Sequence, residues 1–165
     1  MALEIEIRFL IKNDSWKEFI NKKIYIEQGY LSNSLDGGIT RVRLIGKNSK
    51  IALKKHIKGF TNFEFEYSIP QKDGETMLSN ITNTIKKERF FLEVEKKSWI
   101  IDCFKENNYP LEIAEIELSN EKEDLFLPSF ISKEITGLNH YSNFSLANNP
   151  FSEWKEDYLT TFKSN

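Results

Sequence analysis

The chain has 165 residues, 39% of them hydrophobic, with 13 Phe, 6 Tyr and 3 Trp, which is enough for one domain with a substantial core. Its 23 Lys and Arg stand against 25 Asp and Glu, and that near balance excludes a general nucleic-acid binder, which would be basic. Cys103 is the only cysteine, so an intrachain disulfide is excluded and an oxidising compartment is not implied.

Residues 3–12, with strict alternation over Glu4-Ile5-Glu6-Ile7-Arg8, predict a strand. Asp14-Ser15 then opens a short helix, with Ser15 and Glu18 at capping-box spacing and Trp16, Phe19 and Ile20 on one apolar face. Lys23 to Ser32 is extended, Asp36-Gly37-Gly38 signals a turn, and Ile39 to Leu44 pairs through a second turn with Lys50 to Lys54. Lys54 to Gly59 is a basic loop or strand end, and Phe63 to Ile69 is a strand stopped by Pro70. Met77, Leu78, Ile81 and Ile85 predict a helix over 76–85, although its Ser, Thr and Asn content gives weak propensity. Extended runs follow at about 87–95, 98–104 and 111–119, then a short helix with Pro128 within 121–137. Ser152 caps a predicted C-terminal helix that places Trp154, Tyr158, Leu159 and Phe162 on one side. Carboxylates at Glu4 and Glu6 stand where a signal peptide would be basic, and no run approaches a membrane span. The expectation is a soluble, cytoplasmic protein without membrane or nucleic-acid partners.

About eight strands without βαβ alternation predict an α+β fold, a single domain over 1–165. An antiparallel sheet of this size closes into an eight-stranded barrel with helices outside. Its charges follow a pattern: Glu4/Glu6, Arg41/Arg43, Glu64/Glu66, Lys87/Arg89 and Glu115/Glu117 each place like charges two apart. Like charges side by side on one strand face repel, so folding does not ask for them. If Ile5, Val42, Phe65 and Ile116 pack under helices, the charged face lines the lumen. Arg8, Arg41, Arg43, Lys54, Lys87 and Arg89 then suit a string of phosphates. Glu4, Glu6, Glu64, Glu66, Glu115 and Glu117 are hard oxygen donors that suit Mg²⁺ or Mn²⁺. Together they describe a phosphoryl-transfer site, against the plainer reading of a sheet with solvated outer faces.

These residues carry a resemblance. Glu4-Ile5-Glu6-Ile7-Arg8 is similar to the opening Glu-x-Glu-x-Lys of the CYTH superfamily, the triphosphate tunnel metalloenzymes. Gln28-Gly29-Tyr30-Leu31-Ser32, Arg41-Val42-Arg43, Ile51-Ala52-Leu53-Lys54, Glu64-Phe65-Glu66-Tyr67, Lys87-Glu88-Arg89 and Ala114-Glu115-Ile116-Glu117-Leu118 extend the match, in order, over nearly the whole chain. The resemblance implies an antiparallel tunnel that hydrolyses triphosphates with a divalent metal, Mg²⁺ or Mn²⁺, most members of this size acting on inorganic tripolyphosphate. It implies triphosphate binding by Arg8, Arg41, Arg43, Lys54, Lys87 and Arg89. It implies metal binding by Glu4, Glu6, Glu115 and Glu117 with Asp102 assisting, and orientation of the attacking water by Glu64 or Glu66. A C-terminal helix around Trp154 would plug or flank one mouth, and a homodimer is common among relatives.

The chain departs from the family at Arg8, where a lysine is usual, and at Asn62, where an arginine is usual. It departs again at Leu138 and His140, which follow Thr136-Gly137 where an acid and an arginine are usual. His140, if it faces the lumen, makes activity depend on pH near neutrality. Two further readings stay open: a nucleoside or thiamine triphosphatase or class IV-type adenylate cyclase on the same site, and a binding module that retains polyphosphate or nucleotide without turnover.

Overall fold

The computed structural model describes residues 2–33, 38–59 and 61–155. Alternation becomes a closed wall. The strands are β1 (Ala2–Ile11), β2 (Ile20–Asn33), β3 (Gly38–Ile45), β4 (Asn48–Lys58), β5 (Thr61–Ile69), β6 (Thr84–Val94), β7 (Lys97–Phe104), β8 (Glu112–Glu117) and β9 (Ile131–Glu134). They hydrogen-bond in the order β5-β4-β3-β2-β6-β7-β8-β1, all antiparallel, and β1 then pairs with β5 to close eight strands into a barrel. β9 adds a short strand beside the far end of β1.

Partners in an antiparallel register share a face, as do alternate residues of one strand. Arg8 lies opposite Glu115, Arg43 opposite Lys50, Lys54 opposite Glu64 and Arg89 opposite Asp102. The charged rows therefore point inward together. The outward rows of β1, β6, β7 and β8 form a core of Phe9, Leu92, Trp99, Ile101, Ala114 and Ile116, covered by Trp16, Phe130 and Ile131. A second core fills one end of the lumen itself: Leu10, Ile85, Phe104 and Ile113 from the strands meet Ile135, Tyr141, Leu146 and Phe151 from the chain beyond β9.

The helical parts differ from the sequence reading. Residues Asp14–Phe19 form a 3₁₀ turn capped by Asn13, whose side-chain oxygen accepts from Ser15 N at 3.0 Å. The Ser15–Glu18 spacing is thus not used as a cap. Helix α1 spans Gln71–Ser79 and starts directly after Pro70, several residues before the predicted 76–85. Ile85 belongs to β6, so the apparent helical spacing of Leu78, Ile81 and Ile85 joins two elements. β4 runs on through Lys58, so the basic stretch is strand. No helix forms in 121–137, which holds turns and β9, whereas an unpredicted six-residue helix, α2 (Asn143–Asn148), follows with Ser142 as its cap. Ser152 lies in the 3₁₀ turn Phe151–Glu153, and Tyr158, Leu159 and Phe162 lie outside the described residues, as do Asp36 and Gly37. Val42 and Ile116 are buried as expected, but Phe65 is 39% exposed, beside Leu53 and Tyr67. The reason is coverage: α1 packs chiefly on β3 and β4, and among the described residues no helix lies over that part of β5. None of the described helices is long and apolar enough to cross a membrane.

Candidate active site in the barrel lumen

Cations and carboxylates of the lumen neutralise one another in an interlocked network. Arg8 Nε donates to Glu115 at 3.2 Å and lies 3.7 Å from Glu6. Arg89 holds both oxygens of Asp102 at 2.8 Å and Glu115 at 3.0 Å. Arg41 donates to Glu64 at 2.8 Å and lies 3.6 Å from Glu66, while Arg43 is 3.7 Å from Glu66. Lys54 pairs with Glu4 and reaches Glu64 at 3.6 Å. All six predicted cations are therefore in the lumen, together with Glu4, Glu6, Glu64, Glu66, Asp102 and Glu115. Glu117, in register with Glu6, is exposed at the rim.

The network is uneven along the axis. One side opens into a cavity of about 450 Å³ lined by Glu4, Glu6, Arg89, Glu93, Glu115 and Glu117, an acid-rich mouth. Burial, reinforced by Glu115, pushes the Glu6 carboxyl up to about 7, and burial likewise raises Glu4 against the pull of Lys54. Deeper in, Asp102 and Lys87 are both completely buried and paired, with Lys87 also donating to Asn143 at 3.3 Å. Burial pushes Lys87 down to about 7 in spite of Asp102. Burial also works against the Asp102 carboxylate, but Arg89 and Lys87 outweigh it and hold that acid well below the usual range. Arg43 is drawn down to about 10 by burial and by the neighbouring Arg41 and Arg89, so positive charge is crowded there. Crowded, buried cations of this kind mark a candidate functional site.

Three buried polar atoms in the lumen have no hydrogen-bond partner among the described residues: Arg8 Nη2, Arg41 Nε and Glu64 Oε2. Buried polar groups without partners are costly, and native proteins leave few. Here two are donors and one is an acceptor, all on functional candidates. Five carboxylates at the mouth, those of Glu4, Glu6, Glu93, Glu115 and Glu117, supply the all-oxygen set that a hard divalent cation prefers, and the raised Glu6 marks excess negative charge that such a cation would relieve. Among the described residues no three of these acids converge closely enough to hold a metal as they stand, because Lys54 holds Glu4 while Arg8 and Arg89 hold Glu115. Asp102 stands apart, with both oxygens engaged by Arg89 and Lys87.

The structure adds residues that pattern reading passed over. Lys50 faces inward and pairs with Glu66 at 2.6 Å; its spacing of four from Lys54, through Ala52, was the available signal. Gln28 and Tyr30 face inward from β2, opposite Arg43 and Arg41. The closing segment also enters: Tyr141 O accepts from Arg8 Nη1 at 3.1 Å, and Thr136 Oγ1 accepts from Arg8 N at 3.0 Å. His140 is corrected. It is exposed, 5.1 Å edge-on from Trp154 and tilted at 41° against Tyr141, outside the lumen. His56 is exposed and meets Asn62 at 3.3 Å, at the rim beyond Lys54.

No family model matches the sequence. An inorganic triphosphatase from Acetivibrio thermocellus is 32% identical over 158 residues, covering 94% of this chain and 100% of that protein. The crystal structure of the inorganic triphosphatase NE1496 superposes with a TM-score of 0.66 at 24% identity, over 89% of this chain and 95% of that one. The adenylyl cyclase candidate HpAC1 from Hippeastrum, described with a dominant triphosphatase activity, gives a TM-score of 0.53 at 13% identity over 73% of this chain and 80% of its own. The structural likenesses speak for the fold; the sequence likeness speaks for kinship.

Proposed function

The chain belongs to the CYTH superfamily of triphosphate tunnel metalloenzymes, and we propose that it hydrolyses inorganic tripolyphosphate to pyrophosphate and phosphate with a divalent metal, Mg²⁺ or Mn²⁺. The observation that carries this reading is the pair of buried guanidinium donors without acceptors, Arg8 Nη2 and Arg41 Nε. They stand in one lumen with Arg43, Lys54, Lys87 and Arg89. Phosphate oxygens supply the acceptors those donors lack, and three linked phosphates match a row of cations better than one does.

The residues divide the work. Arg8, Arg41, Arg43, Lys54, Lys87 and Arg89 bind the phosphate chain and stabilise charge spread over the transferred phosphoryl group. Arg89 and Lys87 are held in place by Asp102, so their charge is preorganised before substrate arrives. Glu4, Glu6, Glu115 and Glu117 would hold the metal at the acidic mouth, with Asp102 close behind Glu115. A bound divalent cation would polarise phosphate oxygens and offset their negative charge. Glu64 orients the attacking water. Burial raises its carboxyl, but Arg41 and Lys54 outweigh burial and keep it ionised, and its buried Oε2 is an acceptor in need of an O–H donor. Glu66, engaged by Lys50, is the second carboxylate within that reach. Attack in line with the leaving pyrophosphate then completes the hydrolysis.

Phosphate release from tripolyphosphate, ATP and thiamine triphosphate, each with Mg²⁺, Mn²⁺ or EDTA, tests the reading. The expected result is metal-dependent release, strongest with tripolyphosphate. Release confined to an organic triphosphate would move the assignment to a nucleoside or thiamine triphosphatase. Tight binding without turnover would leave a polyphosphate-binding protein.

A further inference from the structure

Gln28 is completely buried in the lumen, between the charged Arg43 of β3 and the apolar Ile85 of β6, and simple phosphate binding does not call for a neutral amide there. It stands opposite Arg43, and Tyr30, two residues on, stands opposite Arg41. All four side chains therefore face inward. Arg43 Nε donates to Gln28 Oε1 at 3.3 Å, and Gln28 Nε2 donates to Tyr30 Oη at 2.8 Å.

The direction of this chain follows from chemistry. A guanidinium only donates, so Arg43 fixes which end of the amide faces it. The amide nitrogen then faces the phenol, whose oxygen must accept. The Tyr30 hydrogen is left to point away from Gln28. The charges acting on that hydroxyl are Arg41, Arg43 and Arg8, and none can accept a proton. Phe144 closes the far side of the ring, edge-on with centroids 5.3 Å apart. Burial keeps the phenol protonated, against the pull of those arginines.

We propose that Gln28 is a positioning residue: by accepting from Arg43 and donating to Tyr30, it makes the Tyr30 hydroxyl a donor aimed at an oxygen of the triphosphate. The inference rests on the tripolyphosphatase reading above. It also explains why an amide serves here, since a carboxylate of the same shape would accept the Tyr30 proton and reverse the polarity.

The test is the loss in kcat/KM for tripolyphosphate caused by Tyr30→Phe, measured in the wild type and in Gln28→Glu and Gln28→Met backgrounds, with thermal melting to establish that each variant folds. In the wild type the loss is about tenfold, the value of one hydrogen bond to a charged acceptor. In both Gln28 backgrounds it falls below threefold, because the hydroxyl is turned away or left unaimed. Gln28→Met serves if the carboxylate variant does not fold. A purely structural Gln28 leaves the tenfold loss unchanged in a folded variant, and that result overturns the inference. So does a wild type indifferent to Tyr30→Phe. A wild type without tripolyphosphate turnover overturns the functional reading first, and Gln28's role with it.

Discussion

The lumen has two halves built by the same strands in the same alternation, and they differ in everything else. Two residues along β1 from Arg8 stands Leu10; two from Lys87 stands Ile85, from Asp102 Phe104, and from Glu115 Ile113. One step of the pleat thus takes each wall from charge to hydrocarbon. On the apolar side the residues pack against Tyr141, Leu146 and Phe151 and close that end. On the charged side they stay apart around a cavity and hold one another only by ion pairs. The apolar half stabilises the barrel; the charged half is tolerated because the chemistry requires it.

That contrast can be broken at either half. The largest effect is expected from Arg41→Gln, which removes a lumen guanidinium with an unused donor: kcat/KM for tripolyphosphate should fall by about 10²–10³-fold, read by phosphate release, with little change in melting temperature. Leu146→Ala attacks the other half. It should cost about 2–4 kcal/mol of stability in urea denaturation while kcat of the folded protein stays within about threefold.

The pH dependence of stability sharpens the comparison. Burial and Glu115 raise the Glu6 carboxyl from 4.5 to about 7, so the folded protein binds that proton more tightly than the unfolded chain does. This contribution is fully present below about pH 4.5 and is lost as pH rises through about 7. In EDTA, Glu6→Gln should therefore exceed the wild type in stability by about 3 kcal/mol at pH 8, with the gap closing near pH 4. A gap independent of pH would remove Glu6 as its source. The smallest effect is expected at His140, outside both halves: His140→Ala should change kcat/KM by less than about twofold and leave its pH profile unmoved.

The charged half was legible in the sequence because strand geometry converts spacing two into a shared face. Glu4-Ile5-Glu6-Ile7-Arg8 and Lys87-Glu88-Arg89 point where their alternation says, and antiparallel register brings them together. Lys50 and Gln28 carried the same signal at single positions, too little to separate them from solvated polar residues. The closing segment was not legible. Its helix α2 has six residues with only Leu146 buried, shorter than any periodicity can mark. Tyr141 reaches the site through its backbone carbonyl, which no side-chain pattern encodes. Phe65 was misplaced for a related reason: alternation tells which way a residue faces but not what covers it.

In the proposed mechanism the acidic mouth and the cationic row act together on a triphosphate. The most direct measurement is single-turnover hydrolysis of tripolyphosphate with Mg²⁺ by the wild type and by a Glu4→Gln/Glu6→Gln variant. Turnover is expected in the wild type and a loss of at least about 10²-fold in the variant, with its fold intact by circular dichroism. Turnover undiminished in the variant, or a wild type equally active in EDTA, would contradict that mechanism.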